Sequence, residues 1–263
     1  MSPQAFDPYA STYDAHFTHS WIGKAQRARV LKYLDPCLAQ KRGALLELNC
    51  GTGEDAVYIA EKGIEVTATD ISPEMIRVAK QKDSKQQVKF IVSSIQELTS
   101  KTDINNLGYV FSDFGGLNCL NPEEFRSLAA NARRWLNADG YFIAVIMGRK
   151  CWWERFFFSW RGEKTKAARR TSQTGVDTVI NEQKFLTWYY SPKEVESIFQ
   201  DHFHTVTIKP IGLFIPPSYL EDWIKKYPVF GNVLILFEKC MGGIGAFANY
   251  ADHYIIVMQK KEA

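Results

Sequence analysis

The chain has 263 residues, 46% hydrophobic and 23% charged, with a formal net charge of +3. That composition excludes a disordered or fibrous chain, and so small a charge makes no case by itself for nucleic acid or an anionic membrane. Five scattered cysteines, without a C-x-x-C pair or a Cys/His cluster, give no metal site and read as reduced cytosolic thiols.

The first residues, MSPQAFDPYA, lack the basic flank and apolar core of a signal peptide. The most apolar late stretch, VFGNVLILFEKCMGGIGAF, is interrupted by Glu238 and Lys239 and makes a poor membrane span. A cytoplasmic protein is expected.

From residue 41 onward the pattern alternates strands and helices, as in a parallel sheet with crossover helices. ALLELN is a short apolar strand, and GEDAVYIAEKG is a helix closed by Gly63. IEVTATD is the next strand, ending in Asp70. In SPEMIRVAKQK, Ser72 is placed to cap a helix with Pro73 at its first position. VKFIVSS and LGYVFSDF are further strands. NPEEFRSLAANARRWLNADG is a helix expected to end at Gly140, and YFIAVIMG is a fifth strand. After Gly148 comes an aromatic and basic insertion, about residues 149–186. A capping box at Ser191 and Glu194 then starts another helix. TVTIKPIGLFI and HYIIVMQ close the sheet, separated by a partly helical excursion. Ligands of open α/β sheets bind outside the carboxyl ends of the strands. Glu47, Asp70, Ser94 and Asp113 all fall at that edge.

The turn LLELNCGTGED has only Gly51 and Gly53 after the strand, no lysine, and carboxylates on both sides. A glycine turn at a helix N-terminus offers N–H groups to an anion, but phosphate would be repelled here. A P-loop lysine and the third glycine of a dinucleotide site are both missing. A ligand carrying a carboxylate and a cation together suits the turn better. S-adenosylmethionine has that character, and Asp70 is placed to accept from both ribose hydroxyls.

At this point the sequence resembles the class I S-adenosylmethionine-dependent methyltransferases of small-molecule type. The likeness is carried by ELNCGTG, Asp70, VSSIQEL and FSDFGGLN. It implies a Rossmann-like α/β fold: a mostly parallel seven-stranded sheet, helices on both faces and an antiparallel closing strand. Residues 1–40 become a helical cover and 41–148 the cofactor core. Residues 149–186 become a lid or interface, and 187–263 the rest of the sheet with an inserted acceptor pocket. Asn49 stands where the first glycine is usual, a position that asparagine tolerates through positive φ. The resemblance assigns the methionine part to Glu47 and the backbone from Asn49 through Gly51 to Gly53. It assigns the ribose to Asp70, and the adenine to Ile71, Met75, Ser94 and Ile95. Asp113 and Phe114 face the sulfonium and the acceptor, and Tyr9 and Tyr13, in FDPYASTYD, cover the cofactor. Ser94 replaces an aspartate often found in such members.

The expected function is methyl transfer to a small apolar or aromatic acceptor, with acidic and lipid-like acceptors among the candidates. An oxygen acceptor needs a base, for which His16 and His253 are the chosen candidates. In RKCWWERFFFSWRGEKTKAARR, Trp152, Phe156 and Trp160 share one helix face, with Trp153 and Phe157 beside them. So wide an apolar surface must bury against the core, a second subunit, an acceptor or a membrane surface. Lys164, Lys166, Arg169 and Arg170 form a basic cluster, either solvated or meeting an acidic group. Trp223, Tyr227, Phe230 and Phe237 either line an acceptor pocket or simply pack. Two alternatives are an RNA or protein methyltransferase, which only the basic insertion favours, and a non-catalytic cofactor-binding partner protein. Nucleic acid is not expected as a partner.

Overall fold

Leu45–Leu48 form β1, whose four side chains are all buried, because this strand lies at the middle of the sheet with helices over both faces. The computed structural model describes residues 6–100, 104–180 and 183–262. The first five residues of the expected cover, and residues 181 and 182 of the insertion, lie outside the described residues. The chain opens with a 3-10 turn, Asp7–Tyr9, then α1 (Ala10–Tyr13), a π-helical turn, Asp14–Thr18, and α2 (Trp21–Leu38). All four free N–H groups at the start of α2 are satisfied. Ser20 accepts from Gly23 through its hydroxyl and from Lys24 through its carbonyl, while the Glu221 carboxylate accepts from Trp21 and Ile22 at 2.8 and 2.9 Å.

After β1 come α3 (Glu54–Glu61), β2 (Val66–Asp70), α4 (Pro73–Lys82), β3 (Val88–Val92), α5 (Ile95–Ser100) and β4 (Leu107–Ser112). Ser72 caps α4 by accepting from Met75. The helix α6 (Pro122–Trp135) has a full capping box from Asn121 and Glu124, and it stops five residues short of the expected Gly140. Leu136, extended and buried, already pairs with Leu107, so β5 (Leu136–Met147) begins at once. Tertiary pairing overrides local helix preference there.

The insertion is α7 (Trp152–Trp160), α8 (Lys164–Ala168) and an antiparallel hairpin, β6 (Val176–Ile180) with β7 (Gln183–Thr187). That hairpin was not expected. Then follow α9 (Pro192–Phe199), β8 (Phe203–Ile211), α10 (Glu221–Lys226), α11 (Pro228–Met241) and β9 (His253–Lys260). The sheet has seven strands in the order β3-β2-β1-β4-β5-β9-β8. The pairs among β1 to β5 are parallel, and β9 runs antiparallel to both its neighbours.

One core packs α5, α6 and α9 on the sheet through Leu98, Phe125, Leu128, Val195 and Phe199. The other packs α2, α3 and α4 through Val30, Leu34, Ile59 and Ile76. Each such side chain contributes about 1.5–3 kcal/mol on burial, which fixes the sheet rigidly under its carboxyl edge. A third, small core joins α2, α7, α10 and α11.

Candidate functional site

Because β2, β1 and β4 are neighbours, the residues at their carboxyl ends converge on one cleft. It encloses about 830 Å³ of empty space, part of it continuous with solvent, and Glu47, Asn49, Gly51, Asp70, Ile71, Met75, Asp113, Phe114 and Tyr13 line it. The turn after β1 takes three residues of positive φ: Asn49 at 56°, Gly51 at 52° and Gly53 at 74°. Nothing lies within 4 Å of a Cβ placed on Gly51, so its backbone faces open cleft. A Cβ on Gly53 would sit 2.8 Å from Ala79 and 3.0 Å from Phe90, so only glycine lets α3 pack that closely.

The acids around the turn divide into two groups. Glu54 is paired with Lys82 at 2.8 Å, and Asp55 receives two hydrogen bonds from Arg27 at 2.9 and 3.1 Å. Glu47 and Asp113 are different. Both are buried, and Glu47 Oε2 and Asp113 Oδ2 have no hydrogen-bond partner. Burial, with repulsion from Asp55 and Asp113, pushes the Glu47 carboxyl well above its usual range, and burial and Asp55 do the same for Asp113. Burial also raises Asp70. Its Oδ1 accepts from the Ser72 N–H and its Oδ2 from the Gly51 N–H, both at 2.9 Å. A carboxylate has about four acceptor positions, so two remain free for a diol.

Arg27 is a residue that sequence reasoning missed. It reaches the cleft from α2, and its Nη1 is buried without a partner. Burial disfavours the charge on the guanidinium, but Asp55 and Asp113 more than offset this. The only signal for it was an arginine on a helix predicted to cover the cofactor. Asp7 and Asp14 were missed too. The Thr52 hydroxyl donates to Asp14 at 2.6 Å and the Ser72 hydroxyl donates to Asp7, so the cover is latched to the glycine turn and to the cap of α4.

Phe114 is held at φ 39°, a strained conformation for a bulky residue. Its N–H donates to Asp113 Oδ1 at 2.7 Å, and its ring meets Phe17 and His253 edge-on, with centroids 4.9 and 5.6 Å away. His253 thus packs behind Phe114, which lines the cleft, and is not itself a lining residue. Its Nδ1 lies 3.3 Å from Asp252 Oδ2, in ion-pair range but without hydrogen-bond alignment. His16 is exposed, with Nδ1 2.8 Å from the Thr12 carbonyl and its ring against Tyr9. Tyr13 lines the cleft, whereas Tyr9 packs edge-on against it. Ser94 and Ile95 lie in an adjoining cleft that shares Asn49, Ile71, Gly116 and Cys119 with the first, and Phe185 of the hairpin and Trp188 wall it.

The basic cluster of the insertion divides: Lys164 and Lys166 stay exposed, while Arg169 and Arg170 turn inward. Arg169 and Arg170 both bind the buried Glu154, at 2.6 and 2.9 Å, and Arg170 also binds Asp252 at 2.7 Å. Glu154, unremarked among aromatics in the sequence, is their counter-charge. Of the expected fates of the aromatic face, burial against the core holds for Trp153 and Phe157, which pack on the small core, but not for Phe156 and Trp160, which are 72% and 80% exposed. Trp223, Tyr227, Phe230 and Phe237 are also exposed rather than lining a pocket.

Residues 45–140 match the sequence model of the family described as a methyltransferase domain. A Bacillus subtilis protein named as a methyltransferase, YqeM, is 38% identical over 95 residues, 36% of either protein. A malonyl-acyl-carrier-protein O-methyltransferase of Priestia megaterium is 31% identical over 96 residues, 36% of this chain and 34% of that protein. The chain thus matches about a third of the length of these relatives. Among solved structures, the PH0226 protein of Pyrococcus horikoshii superposes with a TM-score of 0.61 at 19% identity, over 97% of this chain and 100% of that one. A 1,6-didemethyltoxoflavin-N1-methyltransferase of Burkholderia thailandensis gives 0.55 at 17%, over 99% and 88%. Residues 45–140 therefore match a methyltransferase domain, and the chain around them has the Rossmann-like fold seen in methyltransferase structures.

Proposed function

We propose that the cleft binds S-adenosylmethionine and that the chain transfers its methyl group to a small apolar or aromatic acceptor. The observation that carries this reading is a pair of unsatisfied buried carboxyls: Glu47 and Asp113, each with a free oxygen, face a cleft whose guanidinium is already engaged by Asp55. Buried carboxylates without partners are costly, and a ligand bearing an ammonium and a sulfonium would relieve them. Arg27 Nη1, buried without a partner, suits the carboxylate of the same ligand. Asp70 retains acceptor sites for the ribose, and Ile71 and Met75 offer an apolar wall.

When bound, the donor supplies an electrophilic methyl group for in-line displacement. The chain's own residues orient and enclose it: Tyr13 and Phe17 from the cover, Phe114 from the turn after β4. His253, beside Phe114 and backed by Asp252, is our candidate for taking a proton from an acceptor. His16, turned outward, is not. The family match covers residues 45–140, the expected donor core, and so supports the donor rather than the acceptor.

Calorimetry with S-adenosylmethionine, S-adenosylhomocysteine and NAD tests this. The first two should bind, the sulfonium form at least as tightly as the neutral thioether. Binding of NAD with neither of the others would overturn the reading.

A further inference from the structure

Two helices carry their polarity reversed. On α11 the residues turned to the protein are Gly231, Leu234 and Glu238, and Glu238 is buried. Its carboxylate accepts from the N–H groups of Gly212 and Phe214 at 3.2 and 2.7 Å, with Arg29 Nε 3.5 Å away. Outward the same helix shows Val229, Val233, Leu236 and Phe237, between 41% and 77% exposed. On α7 the buried residue is Glu154, and the outward row is Trp152, Phe156 and Trp160. A surface helix in water has the opposite arrangement. Both helices close over one small core, in which Trp153 and Phe157 pack with Ile224 and Leu234.

Charge identifies what these faces meet. Residues 149–171 hold eight basic and two acidic residues, a formal +6 against +3 for the whole chain, so the remainder is net −3. Both acids are consumed internally, Glu154 by Arg169 and Arg170, Glu163 by Arg161 and Lys166. Lys150, Arg155 and Lys164 have no acidic partner among the described residues. Glu194 and Asp252 balance Arg149 and Arg170 from outside the segment, so a second copy of the chain would bring one face of about +4 against another, which opposes self-association. Aromatic and aliphatic side chains edged by lysine and arginine are what interfacial segments present to anionic lipid.

We propose that α7 and α11 form a peripheral docking surface for an anionic lipid bilayer, with Phe156, Trp160 and Leu236 entering the headgroup region. No described helix is long and apolar enough to cross a membrane. The proposal does not depend on the donor bound in the cleft.

The test is co-sedimentation of the full chain with vesicles of phosphatidylcholine alone and of phosphatidylcholine mixed equally with phosphatidylglycerol. The chain should pellet with the mixed vesicles, less so as salt rises, and weakly with the neutral ones. A Phe156→Ser, Trp160→Ser, Leu236→Ser variant should keep its melting temperature and donor binding but partition at least about a hundredfold less. Lys150→Glu with Lys164→Glu should lose the preference for anionic lipid. Absence of pelleting with the mixed vesicles would overturn the proposal, as would a serine variant that pellets unchanged. Self-association of the lipid-free chain that the serine variant abolishes, or capture by polyglutamate, each without vesicle binding, would assign the surface to a second copy or to an acidic protein instead.

Discussion

Glu47 is the residue at which binding and stability should pull apart. Exchange for glutamine keeps its volume and removes its charge. A hydrogen bond to a charged group contributes about 1.5–3 kcal/mol, so Glu47→Gln should weaken donor binding roughly ten- to hundredfold. The donor-free protein should respond in the opposite direction. A carboxyl whose folded pKa is raised favours folding while protonated, and that contribution is lost as pH rises through the folded value. Glutamine cannot ionise and escapes the loss. Variant and wild type should therefore melt alike at low pH and diverge as pH rises, the variant higher by about 2–4 °C for each kcal/mol. A cationic donor needs the ionised form, so wild-type affinity should fall as pH drops through the same range, with protons released on binding at its upper side. Scanning fluorimetry between about pH 5 and 8, with and without donor, reads both arms, and calorimetry in two buffers reads the protons. A variant that melts lower at every pH and binds the donor undiminished would refute the charge argument.

Arg27→Ala should cost about 3–5 kcal/mol of stability, since it leaves Asp55 buried without its ion-pair partner, and Arg27→Lys should restore stability better than donor affinity in the same titration. Asp70→Asn should weaken S-adenosylmethionine about tenfold while affecting methionine alone much less, as competition calorimetry would show. His253→Gln should reduce turnover about 10²–10⁴-fold on an oxygen acceptor with donor affinity preserved, whereas His16→Gln should leave turnover intact. Glu154→Ala should lower stability by about 3–5 kcal/mol because Arg170 stays buried with only Asp252 to balance it, measurable as a lower urea midpoint.

What the sequence revealed was what depends on local pattern. Alternating apolar runs with a proline or a cap at their ends located the strands of the core and the starts of α4, α6 and α9, because Ser72, Asn121 and Ser191 act on N–H groups a few residues away. Asp70 and Asp113 were legible as carboxylates at strand ends. Arg27 was not, since nothing near it announces a partner 28 positions on, in Asp55. The fate of Arg169 and Arg170 was hidden for the same reason: a run of cations looks solvated until Glu154 and Asp252 are seen beneath it. The end of α6 was misplaced because the pairing of Leu136 with Leu107 decides it, at a separation no window spans. The hairpin of β6 and β7 lacks a tight glycine turn to mark it.

The cap on α2 has a consequence for the order in which the molecule can be finished. Two of the donors that begin this helix are answered only by Glu221, which follows Trp21 by 200 positions. During translation the segment bearing Arg27 therefore emerges early yet stays incompletely anchored until most of the polypeptide has left the ribosome. The cleft would acquire its last wall near the end of synthesis, so a nascent chain stalled before residue 221 should hold the donor poorly even with every strand of β1 to β5 already made.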